Sequence, residues 1–237
     1  MSTVSETGTP LFIYVLDLFG TGAFAFSGAL RVVDRRPDFV GMLILAAATA
    51  IGGGMFRDIA LNRSPVALSD IGYPIVIIAS VCTTFFFPGS VFRHRELFKY
   101  FDAVGLGAFS AFTAQIAWGM QLNPLALIMI AAFSGCAGGV VRDLIVQKPT
   151  IILDTDLYIT PVIVGSIGLM VAMTLGCGPL IAAIIAFTLT AGLRIASIIW
   201  DVRLPRVLWV HCDPPESQAA VEDIQNKNPP ENNERVS

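Results

Sequence analysis

Two short strings in this sequence could do chemistry that the rest of an apolar chain cannot. Gly52-Gly53-Gly54-Met55-Phe56-Arg57-Asp58 and Ala137-Gly138-Gly139-Val140-Val141-Arg142-Asp143 share the pattern Gly-Gly-x-x-Arg-Asp, 85 residues apart. Both lie in strongly apolar surroundings. An ionisable side chain at the centre of a membrane span costs about 2.5–3.5 kcal/mol on insertion scales, and such groups face an interior or water. A glycine within a helix costs about 1 kcal/mol relative to Ala. Opened backbone is tolerated at membrane depth only against protein or a water-filled cavity. One reading is therefore a pair of kinked helices whose exposed carbonyls and amides line a polar path. Its residues would be Gly52, Gly53, Gly54, Arg57 and Asp58, with Gly138, Gly139, Arg142 and Asp143. The other reading is close helix packing through small residues, as Gly135-xxx-Gly139 permits.

The same shift of 85 pairs further residues without a gap. Asp17 falls on Asp102, Gly20 on Gly105, Gly22 on Gly107, Ala23 on Ala108, Phe24 on Phe109 and Tyr73 on Tyr158. Neighbouring residues on a helix do not face each other, so Arg57 and Asp58 make poor partners. Asp17 and Asp102 lie at matching depths and are the expected supporting ion pairs, Asp17–Arg57 and Asp102–Arg142. That leaves Asp58 and Asp143 to attract cations at the two mouths of the path. Arg194 contacts the path or a lipid headgroup, or reaches for the interface as long basic side chains do. Ser27, Thr49, Thr113, Gln115 and Ser134 taken singly read as helix contacts.

No nucleophile–base–orienter set, phosphate loop or metal cluster is visible, so neither an enzyme nor a cofactor is expected. Cys82, Cys136, Cys177 and Cys212 show no metal or disulfide spacing, and buried thiols behave as small hydrophobes. His94 and His211 read as interfacial residues.

The elements that must hold these residues are apolar helices. Hydrophobic residues make up 54% of the 237, before the 21 glycines are counted, and charged residues only 14%. A soluble domain has about 45–50% apolar residues with glycine included and about 25% charged. This composition excludes a soluble enzyme, a disordered protein and a nucleic-acid binder with a basic face. Seven stretches can span a bilayer, which needs about 20 apolar residues: 11–33, 39–61, 71–92, 101–119, 124–146, 157–176 and 179–200. Residues 1–10 hold no Lys or Arg, whereas a signal peptide begins with a basic region.

The basic residues assign sides. Arg31, Arg35, Arg36, Arg93, Arg95, Lys99, Lys148, Arg203 and Arg206 fall on one side and only Arg63 on the other. The excess marks the cytoplasm and puts the N-terminus outside and the C-terminus inside. The expected fold is an all-α polytopic membrane protein. Its parts are an external segment 1–10, a three-helix repeat 11–92, a second, inverted repeat 93–176, a seventh span 177–200, and a cytoplasmic tail 201–237. Three spans per unit invert the second unit, an architecture common in proteins that move solutes or ions. From Asp213 the tail carries six acids against Lys227 and Arg235, with no apolar periodicity, and is expected to be disordered.

With its 3+3+1 spans and Gly-Gly-x-x-Arg-Asp in the second and fifth, residues 11–200 resemble a prokaryotic member of the trimeric intracellular cation (TRIC) channels, whose bacterial members carry a glycine-transporter-type domain. The resemblance implies a homotrimer in the inner membrane with one pore per protomer. It implies conduction of monovalent cations, potassium above sodium, between second and fifth helices kinked at Gly52, Gly53, Gly54, Gly138 and Gly139. The animal members' Lys-Glu-Val element for phosphoinositide is absent from this sequence. Partners are then further copies of the chain, membrane lipids and the permeant ions, with no nucleic acid. Small residues on the first, fourth and seventh spans, such as Ala182, Ala186 and Thr190, are expected to face the trimer contact. The alternatives are a secondary transporter of a small amino acid such as glycine and a purely structural scaffold.

Overall fold

The computed structural model describes residues 11–86, 96–147 and 158–200, all within one unit spanning Met1–Leu204. The described residues contain no strand. Eight α-helices follow in order: α1 Leu11–Val32, α2 Phe39–Ala60, the short α3 Val66–Ser69, α4 Gly72–Phe86, α5 Leu97–Gly119, α6 Pro124–Val146, α7 Thr160–Thr174 and α8 Pro179–Trp200. A 3-10 turn, Val33–Arg35, extends α1. By length and composition four helices can cross a membrane: α1 with its extension, α2, α6 and α8. The central α5 is as long but carries Lys99, Asp102 and Gln115, and it is buried along most of its length. A helix sheathed by other helices can carry polar residues that a lipid-facing one cannot. α4 and α7 are apolar and 15 residues each. Three elements differ from expectation. α5 begins at Leu97, four residues before the expected span. α7 is shorter than 157–176. α3 forms within the connection 62–70 between two expected spans. Much of the stretch between α4 and α5, with Arg93, His94 and Arg95, lies outside the described residues, as do residues 1–10, Lys148, His211, Cys212 and the tail from Asp201.

The internal repeat extends to the caps. Asp38 caps α2, its carboxylate accepting from the Gly41 N–H at 3.0 Å. Asn123, 85 residues on, caps α6 and accepts from the Ala126 N–H at 2.8 Å, with Pro124 at the first helical position. Both placements are favoured because the first turn of a helix leaves N–H groups without backbone partners. Non-glycine residues with positive φ are uncommon. Those described here are Arg36 (49°) and Gln121 (55°), Asn62 (52°) and Gln147 (54°). Each pair is again separated by 85.

α1 packs on α5, α2 on α6, and α8 on α5 and α7. The Phe24 and Phe109 rings meet with centroids 5.2 Å apart. Gly20 and Gly105 let α1 and α5 approach: a Cβ on Gly20 would stand 2.8 Å from the Ala108 Cβ, and one on Gly105 2.7 Å from the Phe24 ring. α2 and α6 are each unbroken helices through their glycine clusters. A Cβ on Gly53 would fall on the Ser134 carbonyl oxygen, and one on Gly138 on the Thr49 carbonyl oxygen. In this structure the two glycines serve the close crossing of α2 and α6. Ala182, Ala186 and Thr190 do not face another copy. They are buried within the protomer, where a Cβ on Gly165 would reach the Ala186 carbonyl oxygen at 2.8 Å and the Thr190 hydroxyl. The small residues of α8 are spent on bringing it against α7. Large apolar side chains such as Ile44, Ile71, Phe86, Leu125 and Trp200 point outward, as a lipid-facing surface requires.

Candidate functional site: twin buried charge clusters

The site is built twice from the same residue types. In the first copy α1 supplies Asp17, the end of α2 supplies Arg57 and Asp58, and the start of α4 supplies Tyr73. Arg57 Nη1 lies 3.0 Å from Asp17 Oδ1, and Arg57 Nε lies 2.8 Å from Asp58 Oδ1. The Tyr73 hydroxyl donates to Asp17 Oδ2 at 2.6 Å. The guanidinium lies over the Phe112 ring, 4.2 Å from its centroid, where the ring's electron-rich face attracts a cation. The Val66 N–H donates to Asp58 Oδ2 at 3.1 Å, tying α3 to the cluster.

In the second copy Asp102 comes from α5, Arg142 and Asp143 from α6, and Tyr158 stands just ahead of α7. Arg142 Nη1 lies 2.7 Å from Asp102 Oδ1, and Arg142 Nε lies 3.0 Å from Asp143 Oδ1. The Tyr158 hydroxyl donates to Asp102 Oδ2 at 2.8 Å. Where Arg57 meets Phe112, Arg142 meets the residue 85 earlier, Ser27, and donates to its hydroxyl. Two further cations join this copy. Arg31 Nε lies 3.3 Å from Asp143 Oδ1, and the Arg194 guanidinium stands over the Tyr158 ring, 4.6 Å from its centroid. The four acids, Arg57, Arg142 and Arg194 are each at most 1% exposed.

Three sequence expectations are corrected. Arg57 and Asp58 are partners, as are Arg142 and Asp143, although adjacent on their helices. A guanidinium offers five N–H donors in a planar fork, so one Arg spans two carboxylates, through Nη1 and Nε. A buried carboxylate without a partner would be far costlier than the bent side chain. Asp58 and Asp143 are therefore not free carboxylates waiting for cations; each is tied into a cluster. Arg194 does not reach for the interface but is buried on Tyr158.

The sequence had aligned Tyr73 with Tyr158 without assigning either a task. It had read Arg31 only as a marker of membrane side. Their partners come from other helices, so only the coincidence of the tyrosines at the repeat distance could have flagged them. Tyr73→Phe and Tyr158→Phe are expected to remove the hydroxyl donors while keeping the rings, including the one under Arg194. Each should destabilise by about 1.5–3 kcal/mol, the range for hydrogen bonds to charged groups. A melting temperature in detergent that matches the parent for both variants would contradict that role.

The remaining polar residues join across helices. The Thr113 hydroxyl donates to Ser134 Oγ at 2.9 Å, and Ser134 Oγ donates to the Gly53 carbonyl at 3.2 Å. Thr49 donates to its own helix at the Leu45 carbonyl, 2.7 Å. Gln115 is buried in α5. Cys82, Cys136 and Cys177 are free thiols. Among the described residues no group of three His, Cys, Asp or Glu side chains could hold a metal ion.

These features define an all-helical, multi-pass membrane protein that buries one charge cluster twice. A family model described as glycine transporter matches residues 14–88 and again 99–174, and the chain belongs to that family. The UPF0126 inner membrane protein YadS of Escherichia coli is 32% identical over 82% of this chain and 96% of its own. The UPF0126 membrane protein YvgT of Bacillus subtilis is 30% identical over 81% and 94%. Among solved structures, one described under conductance through TRIC cation channels has a TM-score of 0.73 at 31% identity, covering 83% of this chain and 97% of that one. The TRIC trimeric intracellular cation channel orthologue from Rhodobacter sphaeroides has a TM-score of 0.73 at 28% identity, covering 81% and 99%. The protein is a multi-pass inner-membrane protein and not an enzyme.

Proposed function

We propose that the chain is a cation channel of the TRIC type. The observation that carries this reading is its likeness, over more than four fifths of its length, to solved TRIC cation channels. The finer reading is a homotrimer with one path in each protomer and a preference for potassium over sodium. Its seven spans form two inverted units, residues 11–92 and 93–176, and a seventh span, with the N-terminus outside and the tail in the cytoplasm. The two stretches matched by the family model and the paired caps support the two units. The permeant ion is the only ligand the function needs, and lipids surround the protein.

In this reading the path runs where α2 and α6 cross, past Gly52, Gly53, Gly54, Gly138 and Gly139, between the clusters of Arg57 with Asp58 and Arg142 with Asp143. At the first cluster negative potential comes from a surplus and not from a free carboxylate, Asp17 and Asp58 standing against Arg57 alone; the second cluster, where Arg31 and Arg194 join Arg142, has no such surplus. The helices touch at Gly53 and Gly138, so conduction requires them to part there, and glycine is where helix backbone opens at least steric cost. In planar bilayers the purified protein should give unitary currents whose reversal potential follows the potassium gradient. Saturable glycine uptake into proteoliposomes without such currents would replace the channel by a carrier.

A further inference from the structure

The repeat brings α1 to the second cluster as it brings α5 to the first. Ser27 of α1 meets Arg142, and Phe112 of α5, 85 residues on, meets Arg57. One turn beyond Ser27, at the end of α1, stands Arg31. Its Nε lies 3.3 Å from Asp143 Oδ1, and its guanidinium is over the Phe98 ring, 4.3 Å from the centroid. The same shift of 85 sets Ile116 in place of Arg31, Ile13 in place of Phe98 and Asp58 in place of Asp143. The cation and the ring that supports it are thus replaced together, by two isoleucines, in the first copy. There Asp58 Oδ2 accepts the Val66 N–H instead.

The difference is one charge. Without Arg31, Arg142 would stand against Asp102 and Asp143 as Arg57 stands against Asp17 and Asp58. Arg31 cancels that carboxylate surplus in the second copy. It is also the cation of that cluster that reaches water. Its side chain is 13% exposed, while that of Arg142 is covered and Arg194 is buried. The backbone that carries it is pinned: Arg35, in the turn that extends α1, donates to the Val146 carbonyl at the end of α6 at 3.0 Å. A charge held in this way at a partly wet position acts on an ion a few ångströms off more strongly than it would in bulk water.

We propose that Arg31 makes the path conduct unequally in its two directions, by cancelling beside the second cluster the negative potential that Asp17 and Asp58 keep beside the first. The inference rests on the channel reading and deepens it. A mouth with surplus negative charge concentrates cations and raises their rate of entry, and salt screens the effect. Cations entering past the first cluster gain from such a surplus, and those entering past the second do not. The competing role for Arg31 is a structural pin between α1 and α6, which would set stability and leave the direction of conduction alone.

Unitary currents in planar bilayers, with equal potassium chloride on both sides and equal and opposite voltages, test this. At low salt the parent should pass the larger current in one direction. Arg31→Gln should enlarge the smaller current until it matches the larger, and Arg31→Lys, which keeps the charge, should retain the parent's ratio. In about 1 M salt, where the screening length is about 3 Å, the parent should lose its inequality. A parent with equal currents at low salt, an Arg31→Gln variant with the parent's ratio, or an Arg31→Lys variant that matches Arg31→Gln overturns the proposal and leaves the channel reading standing. So does an inequality that persists in high salt. A parent that passes no current overturns the channel reading, and the proposal with it. Should Arg31→Gln not fold, Ile116→Lys decides. It leaves the second cluster untouched and adds the missing cation beside the first, at a half-buried position. It should shrink the larger current, and an unchanged ratio overturns the proposal.

Discussion

Asp102→Ala is expected to destabilise the protein by about 3–5 kcal/mol, because removing one partner of a buried ion pair strands the other charge. Arg142 would keep Asp143 but lose the carboxylate at 2.7 Å, and Tyr158 would lose its acceptor at 2.8 Å. Asp17→Ala should behave alike, stranding part of Arg57 and the Tyr73 hydroxyl. The double replacement Asp102→Ala with Arg142→Leu should recover part of the loss, since no cation is then left without its partner and Arg31 still faces Asp143 at 3.3 Å. Melting temperatures in detergent of the parent, both single variants and the double variant decide this. A double variant less stable than Asp102→Ala alone would mean that Arg142 has a role beyond its pair.

Gly53→Ala and Gly138→Ala are the second pair of expected losses. The added Cβ would land on backbone carbonyl oxygens of the facing helix, those of Ser134 and Thr49. A backbone atom cannot swing aside as a side-chain end can, so the helices must separate. Overpacking of this kind costs about 1–3 kcal/mol. Leucine at either position should lower the yield of assembled protein as well as its stability. Gly52→Ala provides the contrast. Its Cβ would stand 3.5 Å from Val141 Cγ2, an ordinary contact, so the variant should match or exceed the parent. If Gly53→Ala and Gly138→Ala assemble and melt like the parent but lose current, the glycines act through the path and the tight crossing is not what they are kept for.

How much of this was legible beforehand follows from what each signal measures. Apolar stretches of membrane length identify helices because hydropathy is a running property of neighbouring residues. The shift of 85 is likewise a property of one string compared with itself, and it put Asp17 with Arg57 and Asp102 with Arg142 before any coordinates. The expected start of α5 at residue 101 falls after Lys99, which interrupts the apolar run, and a helix buried by other helices is under no pressure to look like a lipid-facing one. α3 is too short for any periodicity to register.

The sequence by itself therefore determined the membrane class, the repeat, and the residues that had to be neutralised. The tertiary structure alone decided which groups neutralise them. Pairing at a burial site depends on how far each side chain must bend to reach a partner, against the larger cost of leaving a charge unpaired out of water. That comparison turned Arg57 toward Asp58, brought Arg31 to Asp143 and set Arg194 on Tyr158. It also seated α8 against α5 and α7. Such choices depend on the depth, rotation and spacing of whole helices, and these exist only once the helices are packed.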